Sequence, residues 1–441
     1  MPDTVATIRA RQVLDSRGNP TVECNVITKK GHVGTAIVPS GASTGVHEAC
    51  ELRDRRSAFG GKGVLKAVEN INKAIARRLR GKDVTNQELI DTTMLRLDGT
   101  KDKRKLGANA ILAVSLAASR AAAASKDLPL YAYIMTLTGQ KPLLPIPFAN
   151  VINGGRHAGN DLAIQEFMIA PVGAKTFSEA VQIIAELYHL LKRALHRRYG
   201  QSATNVGDEG GFAPPITSAE EALDILSSVL AQTKYEKKVC FAIDAAASEF
   251  YHNHSYRLTK DAYFTGTELA AYYERLATKY PLISLEDPFD QDDLKNFKAF
   301  TTLLAKHDLP LQVVGDDLTV TNPDRIAWAA KEGLCNALLL KVNQIGTLTE
   351  ALSAAKLARE HGWNVMVSHR SGETEDPFIA DLAVGLGCGQ IKLGAPCRGE
   401  RTAKYNQLLR IEEDLGRRAR YAQGLLKHPS RRPPTPKKNR R

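Results

Sequence analysis

The sequence predicts an α/β fold in which a small N-terminal α+β cap domain precedes a larger barrel of strand–helix units. Three observations in the 441-residue chain lead to this prediction. Apolar residues alternate with polar ones over the first 40 residues, and they take helical spacing between residues 64 and 125. Beyond residue 146, short apolar runs end abruptly in charged residues, at intervals that fit one strand and one helix.

The cap domain is predicted at residues 1–140. Three alternating segments separated by turn sequences predict an antiparallel meander at residues 5–14, 21–28 and 33–38. A helical region is expected over residues 64–79, and residues 107–125 form a second, Ala-rich helix. Asn109 and Arg120 interrupt the apolar character of this second helix, so we interpret it as a buried helix rather than a membrane span.

The barrel domain is predicted at residues 141–426, beginning with a proline-punctuated link. Six apolar runs end in a charged residue, and successive ends lie 42, 30, 25, 28 and 23 residues apart. These ends are Asp244, Glu286, Asp316, Lys341, His369 and Lys392. Repeated βα units at such spacings favour a TIM-type barrel, in which the reactive groups lie at the C-terminal ends of the strands.

Composition places the chain among soluble globular proteins, with 43% hydrophobic and 24% charged residues. The first 15 residues contain no apolar segment of the kind found in a secretory signal. The six cysteines show no C-x-x-C spacing, which argues against a zinc or redox framework. We therefore expect a cytoplasmic protein with reduced thiols.

The formal net charge of +12 is concentrated partly at the C-terminal end. Residues 427–441 contain seven Lys or Arg and no acid, which leaves +5 for the rest of the chain. This basic, Pro-rich segment lacks periodicity and is predicted to be a disordered tail. It could serve localisation or contact polyanions, and the alternative is a solvated extension without a partner.

Three of the charged strand ends are the carboxylates Asp244, Glu286 and Asp316, which a barrel would bring together. Carboxylates packed together repel one another unless a cation neutralises them, and ligands that are all oxygen favour Mg²⁺. The alternative for each acid is a helix cap or a pair with a surface lysine. Because an acid ends three consecutive strands, the metal site is favoured over this alternative.

Candidate proton-transfer groups follow from the same pattern. Lys341 and Lys392 end later strands on the same face, and a lysine beside another lysine and a divalent cation could act as a base near neutral pH. The turn Gly207–Gly211 carries Glu209, and a carboxyl group facing other negative charges would tend to stay protonated and act as an acid. The alternatives are two solvated lysines and an ordinary turn.

Other polar residues are candidates for substrate contact. Arg370 and Ser371 follow a strand end and suit a phosphate group, and Ser368 ends that strand. His157 and Glu166 lie near the start of the barrel domain, although a single histidine is more often a structural hydrogen-bonding residue.

The segment Gly41-Ala-Ser43-Thr-Gly45 matches G-x-S-x-G and raises a rival class, a serine hydrolase. That motif requires a strand-to-helix turn in a mostly parallel sheet, whereas the preceding strands are predicted to be antiparallel and Pro39 lies just before it. A mobile Gly/Ser lid is the better interpretation.

Several separate strings resemble the enolase family, the phosphopyruvate hydratases of glycolysis, and the resemblance spans about Val5 to Gly424. The most specific string is Leu338–Glu350, which resembles the family signature. The others are Asp15–Val22, Ser40–Glu48, Ser284–Phe289, Gly315–Leu318 and Ser368–Asp376. The resemblance implies a modified β/α barrel with an α+β cap, usually a homodimer, that reversibly converts 2-phospho-D-glycerate to phosphoenolpyruvate and water.

By resemblance, Lys341 is the base and Glu209 the acid, and two Mg²⁺ ions are bound in the active site. The implied metal ligands are Asp244, Glu286 and Asp316 for the first ion and Ser43, with the substrate phosphate, for the second. The implied catalytic set is Lys341, Glu209, Glu166 and His369. The implied substrate-binding set is His157, Glu166, Glu286, Asp316, Ser368, His369, Arg370, Ser371 and Lys392.

Two alternatives stay open beside this resemblance. Another acid-sugar dehydratase of the same superfamily would keep the metal carboxylates, but it need not keep residues 40–45 or the Arg370–Ser371 pair. A catalytically silent binding protein on this fold would be favoured by loss of a metal ligand or of Lys341, and neither is lost.

Overall fold

The predicted meander is present as a three-stranded antiparallel sheet in the order β1-β2-β3. In the computed structural model, which describes residues 2–41, 45–155, 158–259 and 261–426, its strands are β1 (Val5–Leu14), β2 (Pro20–Thr28) and β3 (Val33–Ile37). Val22, Cys24 and Val26 alternate along β2 and are buried, because side chains two apart on a strand share one face.

Five α-helices follow this sheet along the described chain, and some of them pack against its buried face. They are α1 (Leu65–Asn70), α2 (Ala76–Leu79), α3 (Gln87–Asp98), α4 (Ala108–Ser125) and α5 (Leu130–Thr138). A π-helical turn, Ile71–Ile75, joins α1 to α2 within the region predicted as one helix. α4 is long and apolar enough to cross a membrane, but 83% of it is buried inside the protein, which favours the predicted core helix.

Eight strands form a closed barrel, which confirms the predicted TIM-type architecture. In barrel order they are β4 (Ile146–Asn153), β5 (Glu166–Ala170), β6 (Cys240–Asp244), β10 (Leu282–Glu286), β11 (Gln312–Gly315), β12 (Ala337–Leu340), β13 (Asn364–Ser368) and β14 (Gly389–Lys392). A small separate sheet contains β7 (Tyr251–His252), β8 (Ser255–Arg257) and β9 (Tyr263–Phe264).

Helices surround the barrel and connect its strands. They are α6 (Phe177–Tyr199), α7 (Ala219–Leu230), α8 (Gly266–Lys279), α9 (Leu294–Lys306), α10 (Pro323–Glu332), α11 (Val342–Ile345), α12 (Leu348–Glu360), α13 (Phe378–Leu386) and α14 (Gly399–Leu415). Side-chain caps start several of them. Thr265 and Glu268 form a complete capping box at α8.

The first barrel strands depart from the repeated strand–helix pattern. The described residues between β4 and β5 contain no α-helix, and β5 runs antiparallel to both β4 and β6. An antiparallel neighbour can be reached by a direct loop, whereas a parallel one requires a crossover. Because β5 is reversed, its first residue, Glu166, lies beside Asp244, the last residue of β6.

Buried polar contacts join the cap to the barrel. Asp91 of α3 accepts hydrogen bonds from the backbone N of Thr349 (3.0 Å) and from its hydroxyl (2.6 Å), in the first turn of α12. Arg120 of α4 donates to both oxygens of Asp376, at 2.6 and 2.8 Å. Ser40 pairs through its backbone with Gly372, so the segment before the predicted lid lies beside the loop that follows β13.

Candidate active site

The charged strand ends converge as predicted. Glu286 pairs in register with Asp244, and Ser368 pairs with Lys392, so the barrel brings both pairs to one end. A small cavity of about 20 Å³ lies at this end. Its lining residues are Gln165, Glu166, Glu209, Asp244, Lys341, Ser368, His369, Arg370, Ser371 and Lys392. All of them except Gln165 were candidates from the sequence.

Lys392 is the central cation of this cavity. Its Nζ lies 2.7 Å from Oδ2 of Asp244, 2.9 Å from Oε1 of Glu286 and 3.2 Å from Oε1 of Glu166. Burial lowers the pKa of Lys392, but these carboxylates outweigh it and raise the pKa well above its usual range. Burial, together with neighbouring carboxylates, raises the pKa of Glu286 and of Glu166. One ammonium group therefore contacts three carboxyl groups.

Lys341 is held beside Asp316. Its ammonium group forms an ion pair with Oδ2 of Asp316, and Gln344 donates to Oδ1 at 2.8 Å. The backbone N of Lys341 donates to the hydroxyl of Thr321 at 3.0 Å, which fixes the start of α11. Burial lowers the pKa of Lys341, but Asp316 outweighs it and the pKa is raised. This balance among protein groups differs from the expected lowering, which included the charge of a divalent cation.

The backbone is strained just beyond the three acidic strand ends. A non-glycine residue with positive φ follows each of them within four positions: Ala246 at 44°, Asp287 at 38° and Val320 at 44°. Such conformations cost about 1–3 kcal/mol each and persist only where the surroundings over-determine them. Asp287 is held because its carboxylate accepts from the backbone N of Asp316 (2.9 Å) and of Asp317 (2.8 Å).

The donor set fits a hard divalent cation. Oxygens of Asp287, Asp316 and Asp317 lie within 4.8 Å of one another. Burial raises the pKa of Asp317 to about 7, with Asp316 adding to the shift. Buried carboxyl oxygens in excess of their cationic partners are the ligands that Mg²⁺ prefers. Asp316 belongs to this group, whereas Asp244 and Glu286 contact Lys392, so the predicted trio of ligands stays a prediction.

Glu209 lies in the predicted Gly-rich turn and reaches the cavity from outside the barrel strands. Gly210 has φ +82°, and a Cβ there would lie 2.8 Å from the carbonyl oxygen of Cys397, so the turn requires glycine. Asn150 donates to Oε2 of Glu209 at 3.0 Å, and Nε2 of His369 lies 3.3 Å from the same oxygen. Burial lowers the pKa of His369 to about 4.

Arg370 is buried and is contacted by the segment that follows the predicted lid. Its guanidinium group donates to both oxygens of Glu48, at 3.0 and 3.1 Å, and to Oδ1 of Asn343 at 2.9 Å. The Glu48 carboxylate therefore links this segment to the predicted phosphate site. A planar guanidinium with several donors can bind a phosphate in the same bidentate way.

Comparison with known proteins accounts for nearly the whole chain. Residues 5–134 match the family model described as "Enolase, N-terminal domain", and residues 141–428 match "Enolase, C-terminal TIM barrel domain". The chain belongs to the enolase family. It is 57% identical to the enolase of Mastigamoeba balamuthi over 436 residues, which cover 96% of this chain and 98% of that protein.

A second enolase, from Methanocaldococcus jannaschii, is 56% identical over 412 residues, covering 93% of this chain and 96% of that one. The predicted enolase activity, that of a carbon–oxygen lyase, is thereby confirmed, and no finding supports the alternative acid-sugar dehydratase. Membership also implies use of a metal ion, in agreement with the carboxylate cluster at the barrel end.

Two predicted site residues, Ser43 and His157, lie outside the described residues. On the N-terminal side of the G-x-S-x-G segment is β3, an edge strand of the antiparallel sheet. The first helical element described beyond it is a 3₁₀ turn at Ala58–Gly61. The described flanks therefore lack the strand-to-helix turn of a serine hydrolase.

Sequence reasoning missed several supporting residues of this enolase site, among them Glu48, Asn150 and Arg401. Glu48 is the last residue of the segment Ser40–Glu48, which resembles the enolase family, and this resemblance is the sequence signal that could have identified it. Asn150 lies within β4, a strand the charged-end pattern did not include. Arg401 lies in a helix with many charged residues, and no local pattern distinguishes it from solvated arginines.

Proposed function

We propose that this enolase converts 2-phospho-D-glycerate reversibly to phosphoenolpyruvate and water with Lys341 as the base and Glu209 as the acid. One observation supports this assignment most strongly. A single small cavity is lined by Lys341, by Glu209 and by the phosphate candidates Arg370 and Ser371. A base, an acid and an anion-binding group are the three functions that the elimination requires.

Lys341 would remove the proton next to the substrate carboxylate. That proton is very weakly acidic, so the negative charge that develops must be stabilised as it forms. Lys392 supplies a fixed, buried positive charge, and its contacts with Asp244 and Glu286 hold it in place. A lysine base combined with one or two magnesium ions is a pattern already described for the enolase superfamily.

We assign two Mg²⁺ ions to the site. Asp244, Glu286 and Asp316 would hold the first, and Ser43 would take part in holding the second. When bound, they would supply electrostatic stabilisation of the negative charge on the substrate. A cation at Asp316 would also offset the carboxylate that raises the pKa of Lys341.

Glu209 would give a proton to the leaving hydroxide. Asn150 fixes the orientation of its carboxyl group, and His369 faces the same oxygen. Glu166 lies on the neighbouring strand, and its pKa is raised by burial and by the charge of Glu209. His157, Glu166, Ser368 and His369 would line the substrate pocket.

Arg370 and Ser371 would hold the substrate phosphate. Both are buried at the end of β13, and the backbone of Arg370 is fixed because its N donates to Glu373 at 3.2 Å. The guanidinium group binds the Glu48 carboxylate, so a phosphate would add to or replace an existing anion contact.

The test is a spectrophotometric assay of phosphoenolpyruvate formation from 2-phosphoglycerate by the purified full-length chain. Absorbance should rise with Mg²⁺, excess EDTA should abolish the rise, and Lys341→Ala should remove it. Lys356→Ala is the matched control, because Lys356 is a surface lysine with 80% of its side chain exposed. Equal activity in Lys341→Ala and Lys356→Ala would refute the assignment of the base.

We further propose a cytoplasmic homodimer with the domain division 1–140, 141–426 and 427–441. Light scattering at micromolar concentration measures the mass of the assembly, and a monomer would refute the dimer. For the tail, which lies outside the described residues, heparin binding by the full-length and 1–426 chains can be compared. Seven added positive charges should strengthen heparin binding at low salt, and equal binding would reject a polyanion role.

A further inference from the structure

Arg401 is a fully buried arginine beside the cavity, with a relative exposure of 0%. It lies in the first turn of α14, and its Nη1 donates to Nδ1 of His369 and to the carbonyl oxygen of Arg370, both at 2.6 Å. Its Nη2 donates to the carbonyl oxygens of Ser371 (2.8 Å) and Asp208 (3.0 Å). One side chain thus joins the loop after β13 to the turn that carries Glu209.

The contact with His369 determines the protonation of its ring. A guanidinium group has only donors, so Nδ1 of His369 must accept with its lone pair. A neutral imidazole that accepts at Nδ1 carries its proton at Nε2. An imidazolium would place an N–H against an N–H of Arg401 at 2.6 Å, with two positive charges in contact.

We propose that Arg401 is a positioning residue that fixes His369 as the neutral Nε2–H tautomer and so places this N–H beside the carboxyl group of Glu209. The Nε2 atom lies 3.3 Å from Oε2 of Glu209, the same oxygen that accepts from Asn150. Of these two neighbours, Asn150 makes a hydrogen bond to Oε2, whereas Nε2 of His369 lies close to it without a formed hydrogen bond. This inference rests on the proposed role of Glu209 as the acid.

A purely structural role for Arg401 makes a different prediction. Its bonds to three carbonyl oxygens could simply hold two loops together, and removing them would then disturb the site without any tautomer effect. Lys404 provides a matched control one turn further along α14. It is also buried, and its Nζ donates to Glu373 at 2.7 Å and to the carbonyl oxygen of Thr374. It fixes the same loop through Glu373 and Thr374 rather than through the His369 ring.

The experiment records ¹⁵N spectra of the full-length, Mg²⁺-loaded protein with labelled histidine at pH 7.5. His369→Gln identifies the His369 resonances by their loss. The expected wild-type signature is a protonated Nε2 and an unprotonated Nδ1. Arg401→Met should convert it to a tautomer mixture or an imidazolium, whereas Lys404→Met should leave it unchanged. Arg401→Lys, which keeps a positively charged donor, should retain the wild-type signature.

Kinetics provide the second measurement. Arg401→Met should lower kcat by about 100-fold with KM changed less than about threefold, as for loss of a positioned acid, and Arg401→Lys should restore part of kcat.

An imidazolium or Nδ1–H signature in the wild type would overturn the proposal. So would an unchanged signature in Arg401→Met, or the same change in Lys404→Met. If Arg401→Met does not fold, the wild-type and Arg401→Lys spectra decide the question. Because the spectra do not depend on turnover, they separate this inference from the assignment of Glu209 as the acid.

Discussion

Carboxylates are buried in two regions of this enolase, at the contact between cap and barrel and at the open end of the barrel. The two regions differ in the partners that these carboxylates contact. At the contact, Asp376 accepts two bonds from Arg120 and one each from the backbone N of Ile37 and Phe378. At the barrel end, three carboxyl groups share the ammonium group of Lys392.

The difference shows how a structural carboxylate can be told from a functional one. The donors around Asp376 match its acceptors, so its burial is compensated within the protein. At the barrel end, negative charge exceeds the cations that face it, and the pKa of Glu286 and of Asp287 is raised as a result of burial and neighbouring acids. Such a cluster costs stability unless a ligand neutralises it.

The largest effect is expected from Glu286→Gln. Loss of a proposed Mg²⁺ ligand should lower kcat at least about 1,000-fold, since a bound divalent cation stabilises the transition state by several kcal/mol. The same change removes a repelled carboxylate, so the Tm in EDTA should equal or exceed that of the wild type. Steady-state kinetics and calorimetry in EDTA measure both. A marked fall in Tm would place Glu286 with the structural carboxylates.

The converse is expected for Asp376→Ala. It leaves the Arg120 guanidinium and two backbone N–H groups without their acceptor, and it should reduce the free energy of unfolding by about 3–5 kcal/mol. Urea denaturation measures this, and activity per folded molecule should stay within about twofold at low temperature. Asp376→Asn, which keeps an acceptor of the same shape, should lose less. A large loss of turnover without loss of stability would contradict the comparison.

Mg²⁺ should stabilise only through the barrel end. At a concentration 100 times its Kd, a cation that binds the folded state alone adds about 2.7 kcal/mol to the free energy of unfolding. We expect this increase in the wild type and in Asp376→Ala, and a smaller one in Glu286→Gln. Titration of Tm with Mg²⁺ provides the measurement, and equal increases in all three proteins would exclude Glu286 as a ligand.

The smallest effect concerns Asp381, a carboxylate between cap and barrel that accepts from two neutral donors, Tyr131 N at 3.2 Å and Gln407 Nε2 at 3.0 Å. Burial raises its pKa to about 6, although Arg120 opposes the shift. Between about pH 4 and pH 6 the folded state keeps a proton that the unfolded chain has released, so stability falls as pH rises. Above pH 6 this loss is complete.

Asp381→Asn removes that titration. Relative to the wild type, its free energy of unfolding should increase between pH 4 and pH 6 and then stay about 2 kcal/mol higher, since one pKa unit corresponds to about 1.4 kcal/mol and part is lost with the carboxylate hydrogen bonds. Urea denaturation at pH 4, 5, 6 and 7 measures the difference. A constant difference across this range would show that Asp381 does not titrate in it.

The barrel and its row of strand ends could be predicted because both depend on local patterns. Apolar runs, their spacing and the charged residue that ends each run, such as Asp244 or Lys392, are visible along the chain. The reversal of β5 could not be predicted in this way. β5 runs antiparallel to both of its neighbours, and hydrophobic periodicity does not report strand direction.

The supporting contacts of the site could not be predicted from the sequence, for a different reason. Glu48 contacts Arg370 across 322 residues of sequence, and Arg401 contacts His369 across 32. Such pairs depend on how distant segments pack, and a single sequence carries no signal of them. The same holds for the local pKa values, because burial, the main cause of the shift of His369, is a property of the folded state.

The bond between Asp91 and Thr349 has a consequence for the order of biosynthesis. The two residues are 258 positions apart, so the cap leaves the ribosome long before the segment that completes it. Until then a fully buried carboxylate of α3 has only the donors of its own part of the chain, chiefly Gln87. We therefore expect the newly made cap to remain loosely ordered, and to become rigid only when the second half of the barrel has been translated.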